Sequence, residues 1–378
     1  MTLFSPYLFW GISIAFVLFQ FFLQLSSGVI VNAITQDFSF TASTAGFLAS
    51  AYYYSYTLLQ LPVGMLFDRI STRTLLATTA ALCGLSCLFF AYSHTFFALM
   101  LWRFFMGGSS AFAFIGVTHI LRHYFPPAQF GFMIGLSETL AFLTTVLFMF
   151  LMSSLAGGFQ WRTWMLVSGL MGFVIGLLCL LLPKTTETPH LDASTPSLRQ
   201  ACVALGRNPI AWLNGLYVGL GFGFITIFGA MWAIPFIQLR VGCSLPIASV
   251  LDALIFLGAG ISCPLFGLLD ARLARRQGLL ALSYGITALL FLGVLWGPVT
   301  GLVEMGLLLF LMGLSCGAYM LSYTIANEIT PTKAEATSTG FTNTLAVITA
   351  PLLTPVVGFL LYLHQQGTTL QLLDYQIA

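Results

Sequence analysis

The sequence LPVGMLFDRISTR, residues 61–73, is a short charged segment between two long apolar runs. A partial copy of it, CPLFGLLDARLARR, returns at residues 263–276. Pro62 and Pro264 lie 202 residues apart, and each precedes an acid by six positions. The chain is therefore predicted to contain two copies of one unit, and the flanking apolar runs predict that this unit is embedded in a membrane.

The composition leads to the same conclusion without any motif. Charged residues make up 6% of the chain, hydrophobic residues make up 58%, and the mean hydropathy is +0.96. This leaves too little polar surface for a soluble globule. A hydrocarbon core of roughly 30 Å requires about 20 apolar residues per helix, with backbone hydrogen bonds made inside each span. Because the runs lack the alternation of barrel strands, we predict an all-α polytopic protein in the lipid bilayer. The net charge of +2 gives no reason to expect a nucleic-acid partner.

Eleven apolar runs are long enough to be membrane spans. They cover residues 7–34, 42–67, 73–92, 96–122, 129–154, 161–182, 210–237, 246–269, 278–296, 301–326 and 335–363. The predicted domains are an N-terminal helical half at 1–182, a linker at 183–209 and a C-terminal half at 210–378. A six-plus-six design would begin its last helix where this sequence stops. We therefore expect the twelfth helix to be missing, through clipping or because this copy is naturally short.

The positive charges predict the orientation in the membrane. With the amino terminus inside, ten of the thirteen Lys and Arg residues fall on the cytoplasmic side. Arg162 and Arg240 fall outside, and Arg103 lies within a span. The polar linker is then cytoplasmic as well. We expect an integral protein of a bacterial inner membrane that acts as a monomer.

A second repeat supports the duplication. The fourth and tenth spans match at a constant offset of 206 residues, which pairs Gly107 with Gly313. The fifth and eleventh spans match at an offset of 205, which sets Glu138 opposite Asn343. Parallel repeats of this kind place the solute site at their interface, near the bilayer midplane.

The segment GMLFDRISTR resembles the loop between helices two and three of the major facilitator superfamily, whose usual form is GxLxDRxGRR. The resemblance covers essentially the whole chain. It is to compact prokaryotic carriers and, more distantly, to the lysosomal dipeptide transporter branch. It implies two pseudo-symmetric six-helix halves that rock around a central solute site. In the second copy Ala271 replaces the Arg that follows the acid, so that copy of the loop is expected to be weaker.

The charged segments predict a cytoplasmic gate. An acid near a helix end, within reach of basic residues and a neighbouring helix terminus, forms a charge latch that holds one conformation. The predicted gating residues are Gly64, Asp68, Arg69, Arg73, Asp270 and Arg272. The alternative is that Arg69 and Arg73 only set the topology.

Arg103 and Glu138 are the charged residues predicted to act inside the membrane. Arg103 precedes a Gly-rich stretch, as in the helix-four motif of the family. A cation at this depth costs about 3 kcal/mol on insertion scales, so it requires a wet cavity or a partner. Glu138 shares a helix face with Gly131 and Gly135, where a carboxyl is able to exchange a proton as water access alternates. The alternatives are an Arg103 bonded to backbone carbonyls and a permanently paired Glu138.

Two further acids receive no role. Asp252 and Glu304 come early in the eighth and tenth spans, and both are expected to be solvated near the outer interface.

Polar side chains at helical spacing are candidates for the lining of a solute cavity. They are Gln20, Gln24, Tyr53, Tyr56, Gln60, Asn214, Tyr217, Trp232, Tyr319, Tyr323 and Asn343. The same residue types also serve as hydrogen-bonding contacts between helices.

The leading functional hypothesis is a secondary active transporter of a small organic solute, a symporter coupled to protons through Glu138 and Arg103. The alternatives are an uncoupled facilitator of dipeptides or organic anions, and a non-transporting sensor or assembly subunit on a decayed carrier fold. The sequence contains no nucleotide-binding loop, metal cluster or nucleophile constellation. No enzyme activity, cofactor or metal is therefore expected.

Overall fold

The computed structural model describes residues 5–67, 70–154, 160–183, 198–273, 276–299, 301–329, 335–364 and 370–378. Every regular element in these ranges is a helix, and none of them contains a strand. Ten helical stretches of the described chain are long and apolar enough to cross a bilayer. The prediction of an all-α integral membrane protein is confirmed.

The first part of the chain forms an N-terminal bundle in which α4 packs against α5 and α7, and α3 packs against α5. Its helices are α1 (Ser5–Leu25), α2 (Ser27–Phe38), α3 (Ala42–Phe67), α4 (Thr72–Ala91), α5 (Phe96–Tyr124), α6 (Pro127–Ser154) and α7 (Trp161–Cys179).

The second part forms a C-terminal bundle in which α11 packs against α13, and α9 packs against α15. A short helix, α8 (Leu198–Arg207), lies within the predicted linker. The remaining helices are α9 (Pro209–Gly223), a π segment (Phe224–Trp232), α10 (Ala233–Val241), α11 (Leu245–Leu273), α12 (Arg276–Trp296), α13 (Leu302–Cys316), a 3-10 turn (Gly317–Met320), α14 (Leu321–Glu328), α15 (Glu335–His364) and α16 (Leu372–Ile377).

The first span differs from its prediction because it is broken at Ser26 and continues to Phe38 as α2. The Ser26 hydroxyl donates to the Phe22 carbonyl at 2.5 Å, and the Ser27 hydroxyl donates to the Gln24 carbonyl at 2.8 Å. Serine hydroxyls that bond the preceding turn compete with the helical ladder and bend it. The Ser26 backbone N–H still donates to the Phe22 carbonyl at 3.0 Å, whereas the Leu23 and Gln24 carbonyls at the break accept hydrogen bonds from side chains.

The seventh and tenth spans are also irregular. The π segment interrupts the seventh span and contacts α1 and α2, while the 3-10 turn interrupts the tenth span and contacts α9 and α11. Departures from α-helical geometry are frequent at functional sites. Those in the first and seventh spans lie where the two bundles meet.

The repeat predicted from the sequence is visible in one helix crossing of each bundle. A Cβ atom added at Gly107 of α5 would clash with the backbone oxygen of Tyr52 in α3. A Cβ atom added at Gly313 of α13 would clash with the backbone oxygen of Ile255 in α11. The two matched glycines thus allow the same close approach of backbones, and the pseudo-symmetric halves are confirmed.

The bundles meet along two helix pairs, α3 with α15 and α6 with α11. The Thr139 hydroxyl of α6 donates to the Gly260 carbonyl of α11 at 3.0 Å. We call the end of the molecule that holds the α3–α4, α5–α6 and α11–α12 connections the linker end, and the opposite end the far end. The linker end is the predicted cytoplasmic side.

Candidate transport site

Buried polar side chains of both bundles lie next to one another at the bundle interface, and we call them the central polar group. They come from α1, α2, α3, α5 and α6 on one side, and from α11, the 3-10 turn, α14 and α15 on the other. All are buried except Tyr323, which is half-buried. The group consists of Gln20, Gln24, Ser27, Tyr52, Tyr53, Tyr56, Gln60, Arg103, Glu138, Cys263, Tyr319, Tyr323 and Asn343.

Arg103 lies in the second turn of α5 and has no exposed surface. Its Nη2 atom donates to the Leu23 carbonyl at 3.1 Å and to the Ser27 hydroxyl, so the guanidinium uses a carbonyl from the last turn of α1. Its Cζ atom stands 5.1 Å from the centroid of the Tyr52 ring. The Nε atom has no hydrogen-bond partner, and no carboxylate of the described residues forms an ion pair with Arg103.

Tyr52, Tyr53 and Tyr56 of α3 stand beside this guanidinium. The ring centroids of Tyr52 and Tyr53 are 5.6 Å apart, and those of Tyr52 and Tyr56 are 5.8 Å apart. The Tyr53 hydroxyl approaches Gln24, whose side-chain oxygen accepts from Gln20. The hydroxyls of Tyr52 and Tyr53 have no hydrogen-bond partner in the structure. This side of the group therefore offers unused donors and acceptors around a cation.

Glu138 occupies the interface between the bundles from α6. It is 5% exposed, and its Oε2 atom has no hydrogen-bond partner. Tyr56 of the same bundle and Tyr319 and Tyr323 of the other bundle lie within its electrostatic reach. Cys263 of α11 also lies within the electrostatic reach of Glu138. Glu138 is thus the acidic residue within the central polar group, and its carboxyl group is surrounded by side chains from both bundles.

Asn343, the repeat counterpart of Glu138, belongs to the same group. Its Oδ1 atom accepts from the Tyr323 hydroxyl at 2.7 Å, and the Tyr56 hydroxyl approaches its side chain. The Nδ2 atom has no hydrogen-bond partner. Tyr56 approaches Gln60 too, and both polar atoms of Gln60 are buried and unpartnered. The repeat predicted from offsets in the sequence therefore brings Glu138 and Asn343 to one place from opposite bundles.

Three predicted cavity residues lie elsewhere. The Asn214 side chain donates to the Ser322 carbonyl at 2.9 Å inside the C-terminal bundle. The Tyr217 hydroxyl donates to the Leu280 carbonyl at 2.7 Å, which directs this side chain towards α12. Trp232, at the end of the π segment, packs near Gly358 of α15, and its Nε1 atom has no hydrogen-bond partner. Helical spacing predicted that all three residues line the cavity. In the structure, Asn214 and Tyr217 instead bond to neighbours within the C-terminal bundle.

The predicted gate is only partly within the described chain. Asp68 and Arg69 lie outside the described residues, as does the side chain of Arg272 in the last turn of α11. Gly64 and Arg73 are half-buried at the linker end.

Asp270 forms a charged cluster with residues that were not among the predicted gating residues. Arg276 Nε donates to both carboxylate oxygens of Asp270, at 3.0 and 3.1 Å, and Arg276 Nη2 donates to Oδ2 at 2.8 Å. Arg276 Nη1 donates to Glu328 at 2.7 Å. The cluster joins the ends of α11, α12 and α14. Arg276 is the last residue of the second repeat copy, and this position could have indicated its role in the cluster. Glu328 lies outside both copies, so no repeat pattern pointed to it.

Asp252 differs from its predicted environment. It was expected to be solvated, yet it has no exposed surface, and neither carboxylate oxygen has a hydrogen-bond partner. Depth along a helix did not reveal this, because the side chain points away from lipid and into the protein. Glu304 was expected to be solvated, and it is exposed in the first turn of α13.

An apolar groove of about 560 Å³ lies on the outer side of the C-terminal bundle, away from the central polar group. It runs between α9 with the π segment, α12 and α15, and α16 covers its far end. Its walls include Gly219, Phe224, Phe228, Phe291, Trp296 and Tyr375. Of the predicted cavity residues, Trp232 reaches it.

Two related helical bundles that enclose a buried polar group across a membrane define a transport protein. A family model described as Major Facilitator Superfamily matches residues 12–354, and the chain belongs to this family. Its members are membrane transporters of small solutes and not enzymes, which confirms the predicted family and the prediction that the chain is not an enzyme.

Three relatives are transporters with partial alignments. The Uncharacterized transporter YybO of Bacillus subtilis (strain 168) is 31% identical over 153 residues, 40% of this chain and 35% of YybO. The Probable galactarate/D-glucarate transporter GudP of the same organism is 25% identical over 188 residues, 46% of this chain and 41% of GudP. The Probable sulfoacetate transporter SauU of Cupriavidus necator is 21% identical over 285 residues, 72% of this chain and 66% of SauU. The chain thus spans about a third to two thirds of their lengths.

A solved structure supports the fold independently. A bacterial homologue of the human lysosomal transporter Spinster superposes with a TM-score of 0.74 and 18% sequence identity, over 96% of this chain and 84% of that one. At this identity the likeness concerns the fold alone.

Proposed function

We propose that this protein is a proton-coupled symporter of small organic anions that works by alternating access of its two bundles around the central polar group. The observation that carries the proposal is the environment of Arg103. This cation is fully buried, and no acid among the described residues pairs with it. A buried charge without a counter-charge is costly, whereas an anionic solute compensates it.

The unpartnered atoms around Arg103 give further support to this class of solute. The hydroxyls of Tyr52 and Tyr53 and the side-chain nitrogen of Gln24 are buried donors without partners. Buried donors of this kind fit a carboxylate or sulfonate that carries additional oxygen atoms. The relatives GudP and SauU are named for galactarate, D-glucarate and sulfoacetate. Each of these compounds is small and carries two acidic groups, which supports a dianionic solute for this chain.

Coupling to protons is proposed through Glu138. A membrane potential that is negative inside opposes the entry of an anion by about 2.3 kcal/mol per charge per 100 mV. A proton that enters with the anion reduces this cost. Glu138 lies within reach of tyrosines from both bundles and has an unpartnered oxygen, so its surroundings change whenever the bundles rock. This is the position in which a carboxyl couples protonation to bundle movement.

The charged cluster of Asp270, Arg276 and Glu328 is proposed to brace the C-terminal bundle's side of the gate at the linker end. It joins three helix ends through one guanidinium, so separating those ends breaks several charge-assisted hydrogen bonds at once. In this proposal the linker end faces the cytoplasm of a bacterial cell, and a single chain completes the site.

The test is uptake into proteoliposomes of radiolabelled galactarate, D-glucarate and sulfoacetate, with and without an inward proton gradient. We expect at least one dianion to accumulate above its external concentration and a protonophore to abolish the accumulation. A neutral sugar of similar size is the control and should not enter. Downhill uptake that ignores the proton gradient would establish an uncoupled facilitator, and absence of uptake for every anion would refute the proposed solute class.

A further inference from the structure

The acid Asp252 is not used by the function proposed above, although it is enclosed more completely than Glu138. It lies in the second turn of α11, at the far end, with no exposed surface. Both of its oxygens are buried and have no hydrogen-bond partner. Buried polar groups in proteins almost always have partners. An acid that has none inside a membrane helix therefore requires an explanation.

The neighbours of α11 show where this side chain points. Ile247, Val250 and Ile261 are exposed on its outer face. Gly258 lies against α13, and Gly260 lies against α6. At about 100° per residue, Asp252 stands opposite the exposed face, on the stripe that also carries Phe256 and Cys263.

That stripe faces the N-terminal bundle. The Phe256 ring stands 6.4 Å from the Phe142 ring of α6, and Phe256 also contacts Gly229 of the π segment. Cys263 lies within electrostatic reach of Glu138. From this helical phase we infer that Asp252 lies on the side of α11 that faces the N-terminal bundle, eleven residues or about 16 Å along the helix from the level of Cys263, towards the far end.

Among the described residues, no group on the elements packed against α11 neutralises a charge at Asp252. Arg240 of α10 donates to the Gly297 carbonyl, and Glu304 of α13 is an exposed acid. The π segment has no titratable side chain. The other titratable groups of α11 and its neighbours with described side chains lie deeper or at the linker end: Glu138, Cys263, Asp270, Arg276, Tyr284, Cys316, Tyr319, Tyr323 and Glu328. The side chain of Arg272, in the last turn of α11, lies outside the described residues.

An ionised carboxylate in this place would have lost its water without gaining a counter-charge or a donor. The neutral acid loses far less on burial. The arrangement seen here is therefore compatible with the acid form of Asp252, and an opening of the far end that admits water would release the proton. The adjoining π segment supplies an irregular element at which such an opening begins.

We propose that Asp252 is a second proton-binding site of this transporter, on the far side of the bundle interface, which holds its proton while the bundles enclose it. A hydronium ion gives its proton to the carboxylate and leaves as water, and the reverse step returns the proton. The inference deepens the proposed proton coupling. It does not depend on Glu138 or on the identity of the solute, because its ligand is the proton alone.

Infrared spectroscopy of the purified full-length chain in lipid nanodiscs tests this directly, because protonated and ionised carboxyl groups absorb separately. We expect a protonated-carboxyl band to persist at neutral pH, to shift when aspartate is labelled with carbon-13 at its side-chain carboxyl, and to disappear in Asp252→Asn. Glu304→Gln, which alters an exposed acid of the same bundle, should leave the band unchanged.

Two outcomes would overturn the proposal. One is the absence of any shift in the protonated-carboxyl band when the labelled wild-type chain is compared with the unlabelled chain at neutral pH. This measurement uses the wild-type protein alone and does not depend on a variant that folds. The other is a labelled band that survives in a folded Asp252→Asn protein. A band that responds to Glu138→Gln but not to aspartate labelling would support Glu138 coupling while refuting the site at Asp252, so the two proposals fail separately.

Discussion

The N-terminal and C-terminal bundles repeat the same helix crossings, but they differ in how an outer helix is covered. In the N-terminal bundle α4 lies along α7, where a Cβ atom at Gly84 would come within 2.6 Å of the Gly169 backbone oxygen. In the C-terminal bundle α12 borders the apolar groove. Of the apolar stretch of α4, 61% is buried, against 22% for α12. The two outer helices therefore differ in how much of their surface is covered by the other helices of the described chain.

The bundles also differ in the chemistry that they bring to their interface. At the offset of 206 residues Leu309 stands in the place of Arg103, and at 205 Asn343 stands in the place of Glu138. At the offset of the two prolines, Ser50 is the counterpart of Asp252. A duplicated framework thus provides equivalent positions, and the charges that fill them in only one copy define the asymmetric site.

The largest expected effect tests the asymmetry at Arg103. Arg103→Met keeps an unbranched apolar stem but removes the charge, and loss of one partner of a buried charge pair costs about 2–5 kcal/mol. We expect the initial rate of anion uptake to fall roughly 30-fold or more. Leu309→Met is the matched control in the other bundle and should change the rate little, because this exchange conserves volume. Anion uptake that survives in Arg103→Met would mean that the guanidinium serves only the α1 carbonyl.

Glu138→Gln should separate coupling from movement of the solute. A proton gradient of one pH unit supports about tenfold accumulation per coupled proton. We expect the variant to lose this accumulation and retain exchange of labelled for unlabelled anion, since the neutral amide no longer exchanges a proton. Steady-state uptake at imposed pH gradients measures the effect, and Glu304→Gln provides an exposed acid as control. Undiminished accumulation in Glu138→Gln would rule out this carboxyl as the coupling group.

Alanine at one glycine of α4 and at one glycine of α12 tests the difference in packing. Gly84→Ala in α4 forces a methyl group against the backbone of α7 and should destabilise the protein by about 1–3 kcal/mol. Gly285→Ala in α12 meets nothing within 4 Å and should alter stability by no more than about 0.5 kcal/mol. Thermal unfolding in lipid nanodiscs compares the two. Equal losses would show that α12 is as tightly covered as α4.

The smallest effect is expected in the charged cluster at the linker end. Glu328 is exposed over 57% of its side chain, so Glu328→Gln should cost less than about 1 kcal/mol. Asp270→Asn should cost more, because this carboxylate is 13% exposed and accepts three hydrogen bonds from Arg276. Thermal unfolding at low and high salt ranks the two variants. A larger loss of stability in Glu328→Gln than in Asp270→Asn would show that the Arg276–Glu328 ion pair between α12 and α14 is the more stabilising contact.

The sequence was sufficient to predict an all-helical membrane protein, the repeat and most residues of the central polar group, although it predicted eleven spans and ten described stretches are long and apolar enough to cross a bilayer. Hydropathy and length determine whether a run crosses a bilayer, and the constant offsets brought Glu138 and Asn343 together correctly. The breaks at Ser26 and in the π segment were not predicted, because such departures depend on local hydrogen bonds and neighbouring helices and leave hydropathy unchanged.

The orientation of individual side chains was predicted less well. Periodicity shows which residues share a face, but in a membrane an apolar helix gives little indication of which face points inward. Tyr217 was therefore assigned to the cavity although it bonds to α12, and Asp252 was assigned to the interface with water although it is enclosed. The Arg276 contact with Glu328 joins segments 52 residues apart, which no local pattern encodes.

The groove beside α12 has a practical consequence for handling this protein. Aromatic side chains such as Phe224 and Phe291 line it, and we expect acyl chains from the surrounding membrane to occupy it. Extraction into a short-chain detergent replaces those acyl chains with detergent tails that pack less well. This change affects the C-terminal bundle, which contains the groove. Loss of activity after purification should therefore begin in the C-terminal bundle, and added phospholipid should reverse it.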